Sequence, residues 1–153
     1  MEIGILAVGR LRPEFRSACD DYRRRLGRFV TFSEHEVKEA SRAEGRRQLA
    51  LEAERLLRRI PRGTTIVALS REGTQYTSTG VARLLERWRL RGNSTYFIIG
   101  GSRGLAGDVV AEAAIRWSLG SLTLPHELAR VVVYEQIYRG FTILHSMPYH
   151  KGR

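Results

Sequence analysis

Tyr96-Phe97-Ile98-Ile99-Gly100-Gly101-Ser102-Arg103-Gly104 is the stretch that decides the fold class of this 153-residue chain. A short apolar run ending in glycines predicts a buried strand that opens into a tight loop. Glycine lets the main chain take positive φ and lets a ligand approach the backbone closely. In open α/β sheets, ligands sit at the carboxyl ends of strands, where this loop falls. A second loop follows in Leu119-Gly120-Ser121-Leu122-Thr123-Leu124-Pro125-His126, and the chain closes with Met147-Pro148-Tyr149-His150-Lys151. Three elements of this kind predict a site as well as a core.

On either side of that stretch, strands and helices alternate. Ile3 to Val8 predicts a buried first strand with a turn at Gly9. Pro13 suits the start of a helix. Phe15, Ala18, Tyr22 and Leu26 at helical spacing predict that helix over residues 14 to 28, with Arg23, Arg24, Arg25 and Arg28 on its other face. Phe29 to Lys38 alternates weakly and predicts a second strand. Ala40 to Ile60 predicts a long helix on Leu49, Ala53, Leu56, Leu57 and Ile60, ended by Pro61 and Gly63. Thr64 to Leu69 predicts the third strand and Ser70 to Thr77 a loop around Gly73. Val81, Leu84, Leu85 and Trp88 predict a helix that Gly92 stops, and Thr95 to Ile99 the fourth strand. Asp108 can cap a helix running to about Trp117. Ser121 to Leu124 reads as a short strand or extended loop, and a last helix begins near Pro125-His126 and runs to about Leu144. This alternation predicts an α/β fold with a mainly parallel sheet, in a single domain spanning residues 1–153. The last helix carries Leu128, Val131, Val132, Val133, Tyr134, Ile137, Tyr138 and Phe141 over more than one face. Such a helix must be buried on two sides, and a homodimer interface is the economical explanation.

A chain of this length can build one real core. Its 42% hydrophobic and 27% charged residues are those of a soluble globular protein. Lys plus Arg total 26 against 16 Asp plus Glu, a net charge of +10 and a pI near 10.7. That excess favours a polyanionic partner such as nucleic acid. Arginine supplies nearly all of it, since Lys38 and Lys151 are the only lysines. Arginine pairs bidentately with phosphate and stacks on bases. Part of the charge is neutralised locally, because Arg42, Arg46, Arg47, Arg55, Arg58 and Arg59 interleave with Glu39, Glu44, Glu52 and Glu54. A single cysteine, Cys19, excludes an intrachain disulfide and fits a reducing cytosol. The N-terminus has no basic leader, and no run approaches the ~18 apolar residues of a membrane span. A cytoplasmic protein without membrane contact is therefore expected.

Several chemistries are excluded by spacing. The first strand-helix turn has only Gly9 where a dinucleotide fold needs G-x-G-x-x-G, and no Gly-Lys-Ser/Thr of a P-loop occurs. His35, His126, His145 and His150 show no i, i+4 pairing and no partner cysteines, so no metal site is expected. The serine-hydrolase elbow G-x-S-x-G is missing around Gly101-Ser102.

Four motifs in order carry a specific resemblance. They are Ile98-Ile99-Gly100-Gly101-Ser102-Arg103-Gly104, Ser118-Leu119-Gly120-Ser121-Leu122-Thr123-Leu124-Pro125-His126, Glu135-Gln136-Ile137-Tyr138-Arg139 and Pro148-Tyr149-His150-Lys151. The chain resembles, over its whole length, the minimal ribosomal-RNA branch of the SPOUT methyltransferases. The resemblance implies a sheet whose C-terminal part is tied in a deep trefoil knot. It implies S-adenosyl-L-methionine as cofactor, bound in the knot loops, and a homodimer as the working form. It implies methylation of N3 of a pseudouridine in 23S rRNA, in the stem-loop at the bridge between ribosomal subunits, on the assembled ribosome.

Carried over by motif, the resemblance places cofactor contacts on Leu69, Gly100, Leu119, Gly120, Ser121, Leu122, Thr123 and Leu124. The leucines can wall an apolar slot for adenine, and the glycines leave room and let the loop turn back. The catalytic candidates are Tyr149, His150 and Arg139, with Tyr149 to Lys151 reaching across the dimer to the target. Tyr149 can stack on the base, His150 can take the N3 proton, and Arg139 can hold a phosphate or developing negative charge. Arg139 can also simply pair with Glu135 at i, i+4. His126 reads as a helix-cap or loop-shaping residue. Three departures stand out against the family pattern: Arg103 where an acidic or amide residue is usual, Gly140 where alanine is usual, and His145-Ser146-Met147 where a basic residue, glycine and an acidic residue are typical. Two other readings remain open at this point: a tRNA methyltransferase, and a non-catalytic module that binds rRNA or ribosomes.

Overall fold

β-Branched and aromatic runs form the central strands, and the helices between them bury those strands on both faces. The computed structural model describes residues 1–151, with His150 described by its main chain alone. Five strands form one sheet: β1 Glu2–Val8, β2 Thr31–Val37, β3 Thr65–Gln75, β4 Thr95–Ile99 and β5 Ile115–Ser118. Every neighbouring pair is parallel, in the order β2-β1-β4-β3-β5, as the alternating pattern predicts. The connecting helices are α1 Pro13–Leu26, α2 Gly45–Leu57, α3 Ser78–Arg91, α4 Gly107–Ala111 and α5 His126–Leu144, followed by a 3₁₀ turn at Pro148–His150.

The period-2 geometry of β1 sorts the core into two layers. Ile3, Ile5 and Ala7 pack with Cys19 of α1, Leu85 of α3 and Val133, Ile137 and Phe141 of α5. Leu6 and Val8 pack with Ala53 and Leu56 of α2 and Val109 of α4. So α1, α3 and α5 cover one face of the sheet and α2 and α4 the other. No helix among the described residues is long and apolar enough to cross a membrane.

Several expectations need correction. The helix expected from Asp108 to Trp117 stops at Ala111, and Ile115–Ser118 is β5 instead. Ala106 holds the N-cap position, with Asp108 in the first turn. The apolar residues Ile115 and Trp117 pair with β3, and that tertiary pairing overrides local helix propensity. Of the two alternatives for Ser121–Leu124, a short strand or an extended loop, the structure has the loop. The loop expected over Ser70–Thr77 is largely strand, because β3 runs on to Gln75 through an irregularity between Leu69 and Thr74. Gly73 permits this: a Cβ there would lie 2.6 Å from the carbonyl of Arg116. Finally, α2 begins at Gly45 and ends at Leu57, shorter than Ala40–Ile60, and β2 begins at Thr31 and ends at Val37, within Phe29–Lys38.

The breadth of α5 has an explanation inside one chain. It lies between α1 and α3 over the sheet, so Val133, Tyr134, Ile137, Tyr138 and Phe141 are buried without a partner copy. Gly140 serves this packing, since a Cβ there would sit 2.5 Å from Leu85 Cδ1 and 3.5 Å from Ala82 Cα of α3. α5 starts at the carboxyl end of β1, where Arg130 Nη2 donates to Gly9 O at 2.8 Å. It ends near the amino end of β2, where Phe29 stacks on Phe141 at 5.6 Å.

Candidate cofactor site and the docked tail

Three strand ends meet at one level. Ala68 of β3 pairs with Ile98 of β4, and Leu69 with Trp117 of β5. The glycine loop leaves β4 at Gly100, and the second loop leaves β5 at Leu119, so both rise from strands adjoining Leu69. From β5 the chain must reach α5 at the end of β1, three strand spacings or about 14 Å away. Residues 119–125 therefore cross the carboxyl ends of β3 and β4. This is how the sheet brings together Leu69, Gly100 and Leu119 to Leu124.

The glycine loop is folded on itself. Gly101 and Gly104 form an isolated antiparallel bridge, with Gly104 N–H donating to Gly101 O at 3.0 Å. A Cβ at Gly100 would lie 2.9 Å from Gly104 Cα and closer still to its carbonyl, so only glycine fits. Gly104 takes φ 75°. In the second loop Gly120 takes φ 127°, and its N–H donates to Ser118 Oγ at 3.2 Å. Leu69 and Leu119 are half-buried against the core. Ser121, Leu122 and Thr123 are exposed, with Leu122 at 76%, and Leu124 is intermediate. The main chain from Ser121 to Leu124 makes no backbone hydrogen bond among the described residues.

The start of α5 is locked beside these loops. Arg12 donates its main-chain N–H to Glu127 Oε1 at 2.6 Å and its Nε to Oε2 at 2.7 Å. That backbone donor, with the guanidinium behind it, holds the Glu127 carboxyl below the usual glutamate range. Arg130 is fully buried and reaches Glu36 at 2.6 Å and Glu34 at 3.4 Å, while Arg16 of α1 pairs with the same two glutamates. Burial pushes Glu34 up, but the hydrogen bond and charge of Arg16, with Arg130 behind it, outweigh this and lower it. Burial likewise pushes the Cys19 thiol up to about 12. The sequence carried a signal for this cluster: Glu34 and Glu36 share one strand face, and Arg130 interrupts an apolar helix stripe. His126 Nε2 stands 3.9 Å from where a Cβ at Gly9 would be, a loop-shaping position.

The tail docks elsewhere. α5 ends in paired hydrogen bonds, Ser146 N–H to Ile143 O at 3.1 Å and Met147 N–H to Thr142 O at 2.9 Å. This is the Schellman closure, with Ser146 at φ 53° in the position that favours glycine. Tyr149 then folds back onto α5 and α1. Its hydroxyl donates to Glu135 Oε1 at 3.0 Å and lies 3.3 Å from the Tyr22 hydroxyl. Its ring packs edge-on against Tyr138 at 4.8 Å and carries the Arg139 guanidinium at 4.9 Å. Arg139 also donates twice to Glu135 Oε1, at 2.6 and 2.8 Å. Burial first, then the hydrogen bonds to Tyr22 and Glu135, raises the Tyr149 hydroxyl above the usual tyrosine range. The Glu135 bond raises Arg139. Tyr149 and Arg139 are thus brought together, with Glu135, Tyr22 and Tyr138 as partners that the sequence reading did not single out as a group. The side chain of His150 lies outside the described residues.

The candidate cofactor loops and the docked tail are separate within one chain. Arg139 stands thirteen residues past His126 in α5, about 20 Å along the helix from the loop end. No group of three or more His, Cys, Asp or Glu among the described residues is placed to hold a metal ion.

A parallel sheet with glycine-bearing loops leaving β4 and β5, and an α5 that returns to the end of β1, matches a known class. Residues 1–150 match the family model described as "Predicted SPOUT methyltransferase", and the chain belongs to that family. More particular relatives follow. A protein of Rubrobacter xylanophilus is 47% identical over 151 residues, covering 95% of this chain and 96% of its own. One of Gloeobacter violaceus is 43% identical over 153 residues, covering 99% and 100%. One of Caldicellulosiruptor saccharolyticus is 40% identical over 153 residues, covering 97% and 99%. Each bears the name "Ribosomal RNA large subunit methyltransferase H". Among solved structures, a probable methylase family protein from Haemophilus influenzae Rd KW20 superposes with TM-score 0.56 at 11% identity, over 98% of this chain and 70% of that one. A structure titled for 2-OH methylation of C/U34 on tRNA gives TM-score 0.53 at 17% identity, over 92% and 91%. At such identities these two structures speak for the shared fold alone.

Proposed function

We propose that this chain is an S-adenosyl-L-methionine-dependent methyltransferase acting in the cytoplasm as a homodimer. Its target is N3 of a pseudouridine in 23S rRNA, in the intersubunit-bridge stem-loop of the assembled ribosome. The observation that carries the reading is the pair of loops, Gly100–Gly104 and Leu119–Pro125, converging on adjoining strand ends in a chain of the SPOUT family. The names of full-length relatives at 40–47% identity support the ribosomal substrate. The path of residues 119–125 across β3 and β4 is in keeping with the family's trefoil knot.

The residues present fit the cofactor. The unbonded main chain of Ser121 to Leu124 leaves N–H and C=O groups for the edges of an adenine ring. Exposed Leu122, with Leu69, Leu119 and Leu124, supplies apolar wall. Gly100 and Gly120 let the two loops close around it. When bound, the sulfonium supplies a methyl group already activated for transfer. What remains for the protein is to align the base with it, and alignment alone removes several kcal/mol from the barrier.

Arg139 is a fixed cation, set by Glu135 to meet negative charge developing on the imide. The raised Tyr149 hydroxyl stays protonated at neutral pH, so Tyr149 is a donor and a stacking face and not the base. His150 is the candidate to take the N3 proton. Because Arg139 and Tyr149 stand far from the cofactor loops of their own chain, a second copy must bring them to the reaction. The outer face of α5, with Leu128 exposed and Val131 and Val132 half-buried, offers apolar surface for that contact.

The test is transfer of labelled methyl from S-adenosyl-L-methionine to ribosomes lacking the modification, beside free 23S rRNA and tRNA. Label mapped to a pseudouridine of 23S rRNA in ribosomes is the expected result. Label in tRNA overturns the substrate, and absence of both label and cofactor binding favours a non-catalytic ribosome-binding module.

A further inference from the structure

We infer that the segment joining β2 to α2 is a phosphate-binding rim that holds the target RNA against the glycine loop; this rests on the ribosomal-RNA reading above. Lys38, Arg42, Arg46 and Arg47 are all exposed between the end of β2 and the first turn of α2, and Arg103 is exposed on the glycine loop beside them. Among the described residues none of these five has a carboxylate within 4 Å. Eight other arginines are engaged by carboxylates. Asp21 holds Arg24 and Arg25 at 2.6 and 2.7 Å, Glu127 holds Arg12 at 2.7 Å, and Glu54 holds Arg58. Two carboxylates share the segment, Glu39 and Glu44, and Glu39 is engaged by Ser102.

The segment is braced and not merely charged. Ala40 N–H donates to buried Glu52 Oε1 at 3.0 Å, Arg55 Nη1 donates to Lys38 O at 2.5 Å, and Ala43 N–H closes a turn on Ala40 O at 3.0 Å. It also touches the candidate site directly, because Ser102 Oγ donates to Glu39 Oε1 at 3.3 Å. Glu52 Oε2, buried and without a hydrogen-bond partner among the described residues, lies 3.8 Å from where a Cβ at Gly101 would be. The rim therefore adjoins the glycine loop at Gly101 and Ser102. Separate exposed cations suit an extended polyanion and not a single small anion. Arginine forks on a preorganised turn suit RNA backbone phosphates. The placement at the carboxyl end of the sheet puts the bound strand beside the cofactor loops.

The experiment measures binding of the full-length protein to ribosomes lacking the modification across a potassium chloride series, with methyl transfer followed in parallel. The test variant is R42E/R46E/R47E, and R59E/R62E, beyond the far end of α2, is the control. Loss of three phosphate contacts should make the slope of log affinity against log salt shallower by about 2 to 3. Affinity should fall at least tenfold, while the cofactor Kd and the melting temperature stay at wild-type values. The control should keep the wild-type slope. Should the triple reversal fail to fold, R42Q/R46Q/R47Q carries the same expectation at smaller amplitude. Wild-type affinity and slope in the triple variant, or an equal loss in the control, overturns the rim. Failure of the underlying reading is separate: the wild type would then label no ribosomal RNA, whatever the rim variant does to binding.

Discussion

Replacing Gly100 by alanine separates the proposed cofactor site from the fold. The added Cβ would lie 2.9 Å from Gly104 Cα and closer to its carbonyl, so it meets backbone and not a flexible side-chain tip. The loop must open, and the Gly104 to Gly101 hydrogen bond of 3.0 Å must stretch or break. Overpacking of this kind costs about 1 to 3 kcal/mol. Ser102, Arg103 and Gly104 are exposed, so the free protein relieves the clash by swinging the loop outward. A cofactor bound as proposed needs the loop closed, and the strain should then appear in its binding. At 1.4 kcal/mol per tenfold, the Kd for S-adenosyl-L-methionine should rise between about fivefold and about 150-fold. Isothermal titration calorimetry measures that rise, and a thermal melt checks that folding is retained. Gly107→Ala is the matched control, because nothing lies within 4 Å of a Cβ there. A folded Gly100→Ala protein with the wild-type Kd would refute the placement of the cofactor at this loop.

Three further outcomes are expected. Removing Tyr149 to Arg153 should abolish methyl transfer while the cofactor still binds by calorimetry; ordinary turnover by the truncated protein contradicts the role of the tail. Ser146→Gly should stabilise the protein by about 1 kcal/mol, because a left-handed residue other than glycine costs about 1 to 2 kcal/mol and glycine returns part of this as unfolded-state entropy. For a chain of this size that is a gain of about 2 to 4 °C in a thermal melt, and a lower melting point would be the wrong sign. Glu34 sits below its ordinary value of about 4.3. Its contribution is therefore complete above that value and is lost as pH falls through the lower, folded one. Melts taken on descending pH should show wild-type stability dropping below about pH 4, and Glu34→Gln should flatten that limb. An unchanged acid limb in Glu34→Gln would assign the loss to other carboxylates.

Residues 95–99 and 126–144 show how much was readable in one dimension. Both elements fall where their local patterns put them, since a glycine-terminated apolar run and a long apolar helix behind Pro125 are defined by neighbours in sequence. Ile115–Ser118 shows the limit. Four residues carry too little local preference to declare a strand, and β5 exists only because β3 offers it an edge to pair with.

The sequence by itself determined the alternating α/β plan, the parallel sheet, the two glycine-bearing loops and the basic charge, because these follow from periodicity, turn chemistry and composition. The tertiary structure alone decided that β5 lies beside β3 while α5 returns to the end of β1, which throws residues 119–125 across the carboxyl ends of β3 and β4. It alone decided that Arg130, Arg16, Glu34 and Glu36 form one buried ionic cluster, and that Tyr149 folds onto Glu135 about 14 Å down α5 from the loops. These are contacts between residues far apart in the chain. They arise from strand order and helix packing, which no local pattern records.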